Sequence, residues 1–348
     1  MARILIQKKG IMIFNIRRNQ IFKPKKSNCL LLFFFIVLIS CSDKNEKKVT
    51  IASVGKINAL TFIISDQLWN GEIGDSLRKK FAAPVDGLPQ EEPLFTINQY
   101  PIKALDVNKT ANRNIIIIKN ENQKRFDIVQ DEFANPQNVI HISGKNTTDI
   151  INIIEANADF LIKKIKKTEI LETQKIIAKN LQNTQKIRRK FKIDLHIPSV
   201  YKYVLVKPNF IWLKKEILSG NNSILIYKVP FKTILKDNNL TKNIIKMRDS
   251  IGGMYVHSKA KNSKMITEIS YFPYFFNDIL DKKRAYQTKG TWEIKGDYMS
   301  GSFLNYAVLN KKKHEFMVVE GFCYAPSTEK RDLMFELEAI IKSIKFLK

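Results

Sequence analysis

Two adjacent carboxylates, Glu91 and Glu92, stand between Pro89 and Pro93 in the stretch LPQEEPLF. Proline fixes its own φ, so this loop would present its carboxyl groups at set angles. General acid–base chemistry uses two carboxylates held in different environments. Neighbours in an extended segment point opposite ways, which makes Glu91 and Glu92 poor partners for each other. A glycan or peptide hydrolase built on either needs a second carboxylate, and Glu268, Glu293, Asp297 and Glu320 are the candidates. The competing reading pairs these groups with Arg113, Arg248 or Arg331 as structural ion pairs. A glycosidase-like site would hold two carboxyls about 5 to 9.5 Å apart across an open cleft. Carboxylates set against arginines inside the body would leave no acid–base pair.

Other chemistries find fewer residues. His141, His196, His257 and His314 are scattered without ligand-spaced companions, so no metal site is expected. WNGEIGD lacks the glycine spacing and the following Lys-Ser/Thr of a nucleotide loop, and no cofactor is implied. Ser300 in YMSGSF has no Gly-x-Ser-x-Gly elbow around it. Trp69, Trp212 and Trp292 could stack on sugars, although aromatic-rich strands usually form core. The YFPYFF run at 271–276, with Tyr271, Phe272 and Tyr274, is the strongest candidate for an exposed apolar patch that meets a partner or lipid.

One cysteine carries the most specific signal. In CLLLFFFIVLISCSDKNEKK, residues 29–48, an apolar run from Cys29 to Ile39 ends in Leu38-Ile39-Ser40-Cys41 and turns abruptly polar. A bilayer-spanning helix needs about 20 apolar residues, so the run is too short to cross. Its length suits a secretory signal, and Arg17, Arg18, Lys23, Lys25 and Lys26 precede it with no acidic residue among the first 40. Met12 would give a leader of more usual length. Leu38 to Cys41 resembles a bacterial lipobox: the thiol of Cys41 takes the lipid, and small Ser40 lets a peptidase reach the bond. The competing readings are an ordinary signal peptide with a coincidental cysteine, and a buried strand. The expectation is a protein anchored by acylated Cys41 in the outer membrane, with residues 42–48 as a short tether.

The leader carries eight Lys/Arg; its removal leaves 51 basic against 33 acidic residues. The excess is lysine spread through an Ile/Asn/Lys-rich background, which argues for a solvated surface, and nucleic acid is not an expected partner. Contact with anionic lipid or a polyanionic glycan is the alternative. With Cys41 acylated, Cys323 has no disulfide partner, and in EGFCYAP it reads as a small buried hydrophobe.

The elements that must position these residues follow from periodicity. Strands are expected at 59–65, 94–99, 114–119 and 138–142, and the continuous run Ile115–Ile118 implies a strand covered on both faces. Ile73, Leu77 and Phe81 mark a helix that starts near Gly71 and Glu72. From Thr147, Ile150, Ile154, Leu161 and Ile165 form one helical stripe with Thr147 or Thr148 as cap, continuing toward Phe191 as one long helix or two. KKIKK and KIRRK would lie on its wet face, where a basic amphipathic surface could rest on a membrane; packing on a sheet is the blander alternative. Strands return at 201–207, 210–217, 223–229, 290–295, 302–309 and 315–324, with helices near 241–250, ended by Gly252-Gly253, and 328–346. The fold class is α+β: two similar sheet-plus-helix halves, 49–192 and 193–348, joined by a long helix, in the order expected of a duplicated unit.

WNGEIGDSLRKKF, LPQEEPLF, RNIII, RDS…MITE, GTWEIKGDYMSGSFLNY and EGFCYAPSTEKRDLMFELEAII together resemble a family of uncharacterised Bacteroidota lipoproteins, known as a domain of unknown function. The resemblance covers most of the chain after Cys41. It departs at Ser300-Gly301-Ser302-Phe303, where the family has Gly-Gly-Pro-Phe. It implies an exported, lipid-anchored protein with no established activity. The leading expectation is a non-enzymatic module that binds an envelope protein or glycan, with the hydrolase as alternative.

Overall fold

Two sheets of different construction carry the chain. The computed structural model describes residues 51–104 and 106–347; the leader, Cys41 and the tether at 42–48 lie outside the described residues. The first sheet contains β1 (Ala59–Ile63), β2 (Thr96–Tyr100), β3 (Asn114–Asn120), β4 (Arg125–Gln130) and β5 (Asn138–Gly144). Their order is β2-β1-β3-β5-β4, parallel except for β4, which runs antiparallel at the edge. β3 is central, and its apolar run is buried on both faces as its pattern requires.

Helix α1 (Glu72–Phe81) and helix α2 (Thr147–Ala178) cover one face. Ile73, Leu77, Ile154 and Leu161 pack there on Phe62, Ile116 and Ile140. The thinner opposite face buries Ile63, Ile115, Ile117 and Val139 beneath Ile102 and Phe133. α2 is a single helix of 32 residues, followed by the separate short helix α3 (Gln185–Phe191). Its cap is Asn146 rather than Thr147 or Thr148: the Asn146 side chain accepts from Asp149 N at 2.9 Å.

The second sheet is wholly antiparallel. It contains β6 (Lys202–Lys207), β7 (Phe210–Ile217), β8 (Gly220–Pro230), β9 (Lys264–Thr267), β10 (Tyr274–Leu280), β11 (Lys283–Lys295), β12 (Ser300–Asn310) and β13 (Glu315–Tyr324). The order is β9-β11-β12-β13-β8-β7-β6, with β10 also paired to β11. The halves therefore do not repeat one another, and the expectation of duplication is corrected: one sheet is mainly parallel with crossover helices, the other wholly antiparallel with β8 paired to β13. β4, β9, β10 and the first half of β11 were not expected from the pattern. β10 lies at the sheet's margin, so few of its side chains are buried and its period is faint.

Helix α4 (Leu240–Tyr255) covers one face of this sheet and helix α5 (Arg331–Lys342) the other. Alternation along β13 serves both: Met317, Val319 and Cys323 enter the α5 side, while Phe316, Val318 and Phe322 enter the α4 side. α4 runs straight through Gly252-Gly253, where a break was expected. A Cβ at Gly252 would meet the Met265 carbonyl at 3.3 Å, so the small residue is there for close approach to β9.

The described residues form one compact unit. α5 packs on α2 through Ile170, Phe335 and Ala339. Inside α2, Glu169 is fully buried and accepts from Arg113 Nε (2.6 Å), Asn114 Nδ2 (2.7 Å) and the Asn58 backbone N–H (2.9 Å).

Candidate binding site

Where α4 ends at Tyr255, the sheet face it covered lies open. β7, β8, β11 and β13 send Trp212, Asn221, Trp292, Phe322 and Tyr324 to that face, and the chain after α4 closes the side with His257, Ser258 and Lys259. The result is a cavity of about 520 Å³, with Asp297 and Met299 at the turn between β11 and β12. Its floor is an aromatic cluster. Trp292 meets Phe322 edge-on at 5.5 Å and Tyr324 at 6.5 Å, and Trp212 lies 6.4 Å from Phe322. The indoles are fixed by hydrogen bonds: Trp292 Nε1 donates to the Cys323 carbonyl (3.1 Å), and Trp212 Nε1 to Ser223 Oγ (3.1 Å).

Polar groups ring this floor. Hydrogen bonds from Ser258 and from the Tyr298 N–H hold Asp297 below the usual carboxyl range, so it is an ionised acceptor. Lys214 is paired with Glu216 at 2.6 Å, whereas Lys259 is exposed with no ion pair among the described residues. An apolar floor with a few fixed polar groups at its rim is the usual build of a small-ligand site.

A second groove, also about 520 Å³, runs between the loop at 84–91 and the segment before β10. It brings Glu91 together with Tyr271, Phe272 and Tyr274. Phe272 and Tyr271 are 78% and 65% exposed, and the rings of Tyr274 and Phe276 lie parallel at 6.5 Å. The YFPYFF run is thus an exposed aromatic patch, as expected.

The remaining candidates have structural partners. Glu92 is buried, and its two oxygens accept from the backbone N–H groups of Lys330 and Arg331 at 2.7 Å each, capping α5. Glu320 is buried with its carboxylate 2.9 Å from Arg248 Nε, an ion pair without hydrogen-bond alignment, and its other oxygen accepts from Asn305 at 2.9 Å. Burial pushes Glu320 above the usual carboxyl range, with Arg248 pulling the other way. Arg248 also stacks over Phe303 at 3.7 Å. Glu268 accepts from the Ser270 N–H (2.7 Å), which lowers it, while burial and Glu268 itself raise Glu293. These two carboxyls neighbour each other, and neither lines the cavity or the groove. Trp69 packs on Phe62 at 5.7 Å in the first half, with Arg78 over its ring at 4.7 Å.

Sequence reasoning missed Phe322 and Tyr324 as site residues. The signal was present: they share the parity of Glu320 along an alternating strand. The expectation that KKIKK lies wholly on the wet face is corrected, because Lys166 turns inward while Lys163 and Lys167 are exposed. Among the described residues there is no His/Cys/Asp/Glu group arranged for a metal, and no helix is long and apolar enough to cross a membrane.

This is a two-sheet α+β protein with an aromatic-floored cavity. Residues 180–343 match a Domain of unknown function (DUF4837), and residues 53–178 match a Domain of unknown function (DUF8532). No curated protein matches. The chain is similar at 8% identity to the solved Saccharomyces cerevisiae Ran-binding protein Mog1p, over 45% of this chain and 91% of that one, with a TM-score of 0.31. A mutant of protein Mog1 gives 8% identity, 45% and 92% coverage, and a TM-score of 0.29.

Proposed function

We propose that this chain is an envelope lipoprotein, tethered to the outer membrane by acylated Cys41, whose body binds a glycan without turning it over. The observation that carries the binding reading is the cavity beside the end of α4. Trp212 and Tyr324 offer faces for a sugar ring, and Asn221, Asp297 and Lys259 offer both donors and acceptors to its hydroxyls. The anchoring reading rests on the apolar run and the Leu38–Cys41 pattern. Nine residues separate Cys41 from Ile51, a reach of roughly 30 Å, so the body would work close to the bilayer. The alternative, a hydrolase using Glu91 or Glu92 with a second carboxylate, has lost candidates to structural roles: Glu92 caps a helix, Glu320 holds Arg248, and Glu91 and Asp297 line different pockets.

The test is a tryptophan-fluorescence titration with soluble peptidoglycan fragments and with the oligosaccharide part of lipopolysaccharide. A saturable change that Trp212→Ala weakens at least about tenfold, and Glu91→Gln leaves alone, is expected for a stacked ring. Binding unaffected by Trp212→Ala, or no response to either glycan class, overturns the binding reading. Mass spectrometry of the native N-terminus checks the anchor separately: an unacylated Cys41 overturns it.

A further inference from the structure

Lys166 lines a small cavity of about 40 Å³ between α2, β11 and α5, roofed by the loop that carries Asp86 and Leu88. Among the described residues no hydrogen bond or ion pair holds its amine. The carboxylate it faces, Glu338, is already engaged. Glu338 accepts from Tyr306 Oη at 3.1 Å and lies 3.1 Å from Lys342 Nζ and 3.6 Å from Lys289 Nζ. A second group without a partner lines the same cavity. Asn58 is 1% exposed; its Nδ2 donates to Asp332 at 2.9 Å, while its Oδ1 accepts nothing. An unpaired amine and an unpaired buried acceptor in one enclosed space call for a ligand that satisfies both.

Burial, and next to it the charge of Lys289, bring the Lys166 amine down to about 8. Lys342 acts in the same direction, and Glu338 and Asp86 oppose it. A usable fraction of the amine is therefore neutral, hence nucleophilic, near neutral pH. Leu88, Leu94 and Met334 make the neighbouring walls apolar.

We propose that Lys166 is a covalent carbonyl-capture site that forms an imine with a slender, unbranched aliphatic aldehyde. The amine lone pair attacks the carbonyl carbon, and one nitrogen proton passes to the oxygen. The hydroxyl so formed donates to Asn58 Oδ1. It leaves with a second nitrogen proton as water, giving the imine with no oxidant or reductant. The small cavity admits the reacting carbon and oxygen, and the alkyl chain lies along the leucine-lined mouth.

The test uses the full chain, hexanal and sodium cyanoborohydride, which reduces any imine to a stable secondary amine that peptide mass spectrometry can place. Lys163 and Lys167, exposed on the same helix, are internal controls. At pH 7.5 Lys166 should be alkylated about tenfold faster than either, because part of its amine is neutral there and the cavity holds the aldehyde against it. Its labelling rate should stop rising near pH 8. Lys166→Arg should abolish the fast adduct and leave the two control rates unchanged. Labelling of Lys166 no faster than the controls, or a rate still climbing at pH 10, overturns the proposal.

Discussion

Glu92 reads from sequence as half of a catalytic pair and from the structure as a helix cap, and one substitution separates the two roles. Its two oxygens accept from Lys330 N–H and Arg331 N–H at 2.7 Å each, and all three groups are buried. Glu92→Ala leaves both donors unsatisfied at the start of α5. A buried donor without a partner costs roughly 1 to 3 kcal/mol, so two bound the loss at about 2 to 6 kcal/mol. Water entering the vacated space would satisfy part of that demand, which places the expected loss near 3 kcal/mol. Glu92→Gln keeps one acceptor oxygen but sets an amide N–H₂ against a donor, so it should fall between wild type and alanine. Exposed Glu91 makes no such contact, and Glu91→Gln should change stability by less than about 0.5 kcal/mol. Guanidinium unfolding followed by far-UV circular dichroism measures all three. A loss below about 0.5 kcal/mol for Glu92→Ala, or a glutamine variant less stable than the alanine one, would refute the capping account.

Glu169→Ala should destabilise by about 3 to 5 kcal/mol, since it strands the buried Arg113 guanidinium that now lies 2.6 Å away; a thermal melt within a degree of wild type would contradict this. Burial alone would raise Glu338, but Lys289, Lys342 and Lys166 hold it well below the usual carboxyl range. Its folded value is the depressed one, so its stabilising contribution is complete above the unfolded value of 4.5 and is lost as pH falls below that. Acid unfolding of Glu338→Gln should accordingly be flatter below pH 4.5 than that of wild type, and parallel curves would count against the lysine cluster. Burial pushes the Cys323 thiol up to about 11, so the folded protein should resist a disulfide reagent at pH 8 and react within minutes in denaturant; rapid native labelling would show that β13 opens.

Much of the fold was legible because apolar periodicity is strong wherever an element is buried on one side or both. Ile115–Ile118 announced a central strand, and Ile150, Ile154, Leu161 and Ile165 announced α2. What escaped was marginal or long-range. β10 exposes four of its seven residues and buries one, so it carries no clean alternation, and β9 is only four residues long. The parallel order of the first sheet depends on where crossovers place strands, which local pattern does not encode. The site was partly legible in the same way. Trp212 and Trp292 stood out as residue types, but their meeting with Tyr324 follows from strand register, and the opening depends on α4 stopping at Tyr255. Glu92, which stands between the two prolines, caps a helix some 240 residues further along.

That long reach explains how a chain matched by two distinct family segments forms one body. Apolar contact between α2 and α5 is small, confined mainly to Ile170, Phe335 and Ala339 with Ile57 beside them. Polar bonds between the segments supply the rest. Besides the Glu92 cap, Arg331 donates to the Pro93 carbonyl (3.1 Å) and to Thr96 Oγ1 (3.0 Å), Asn58 Nδ2 donates to Asp332, and Gln174 Nε2 donates to the Ala339 carbonyl (2.9 Å). Buried polar groups of this kind are satisfied only in one relative position, so they fix geometry more sharply than apolar area alone. The first half therefore acts on the second chiefly through the start of α5, the helix that braces the sheet from behind while the aromatic cavity opens on the front. A ligand in that cavity meets β7, β8, β11 and β13, and all four of these strands also hold the core that α5 completes. A fixed joint in this way favours a preformed cavity, and Glu92 and Glu320, which look catalytic in the sequence, contribute by bracing α5 and the sheet.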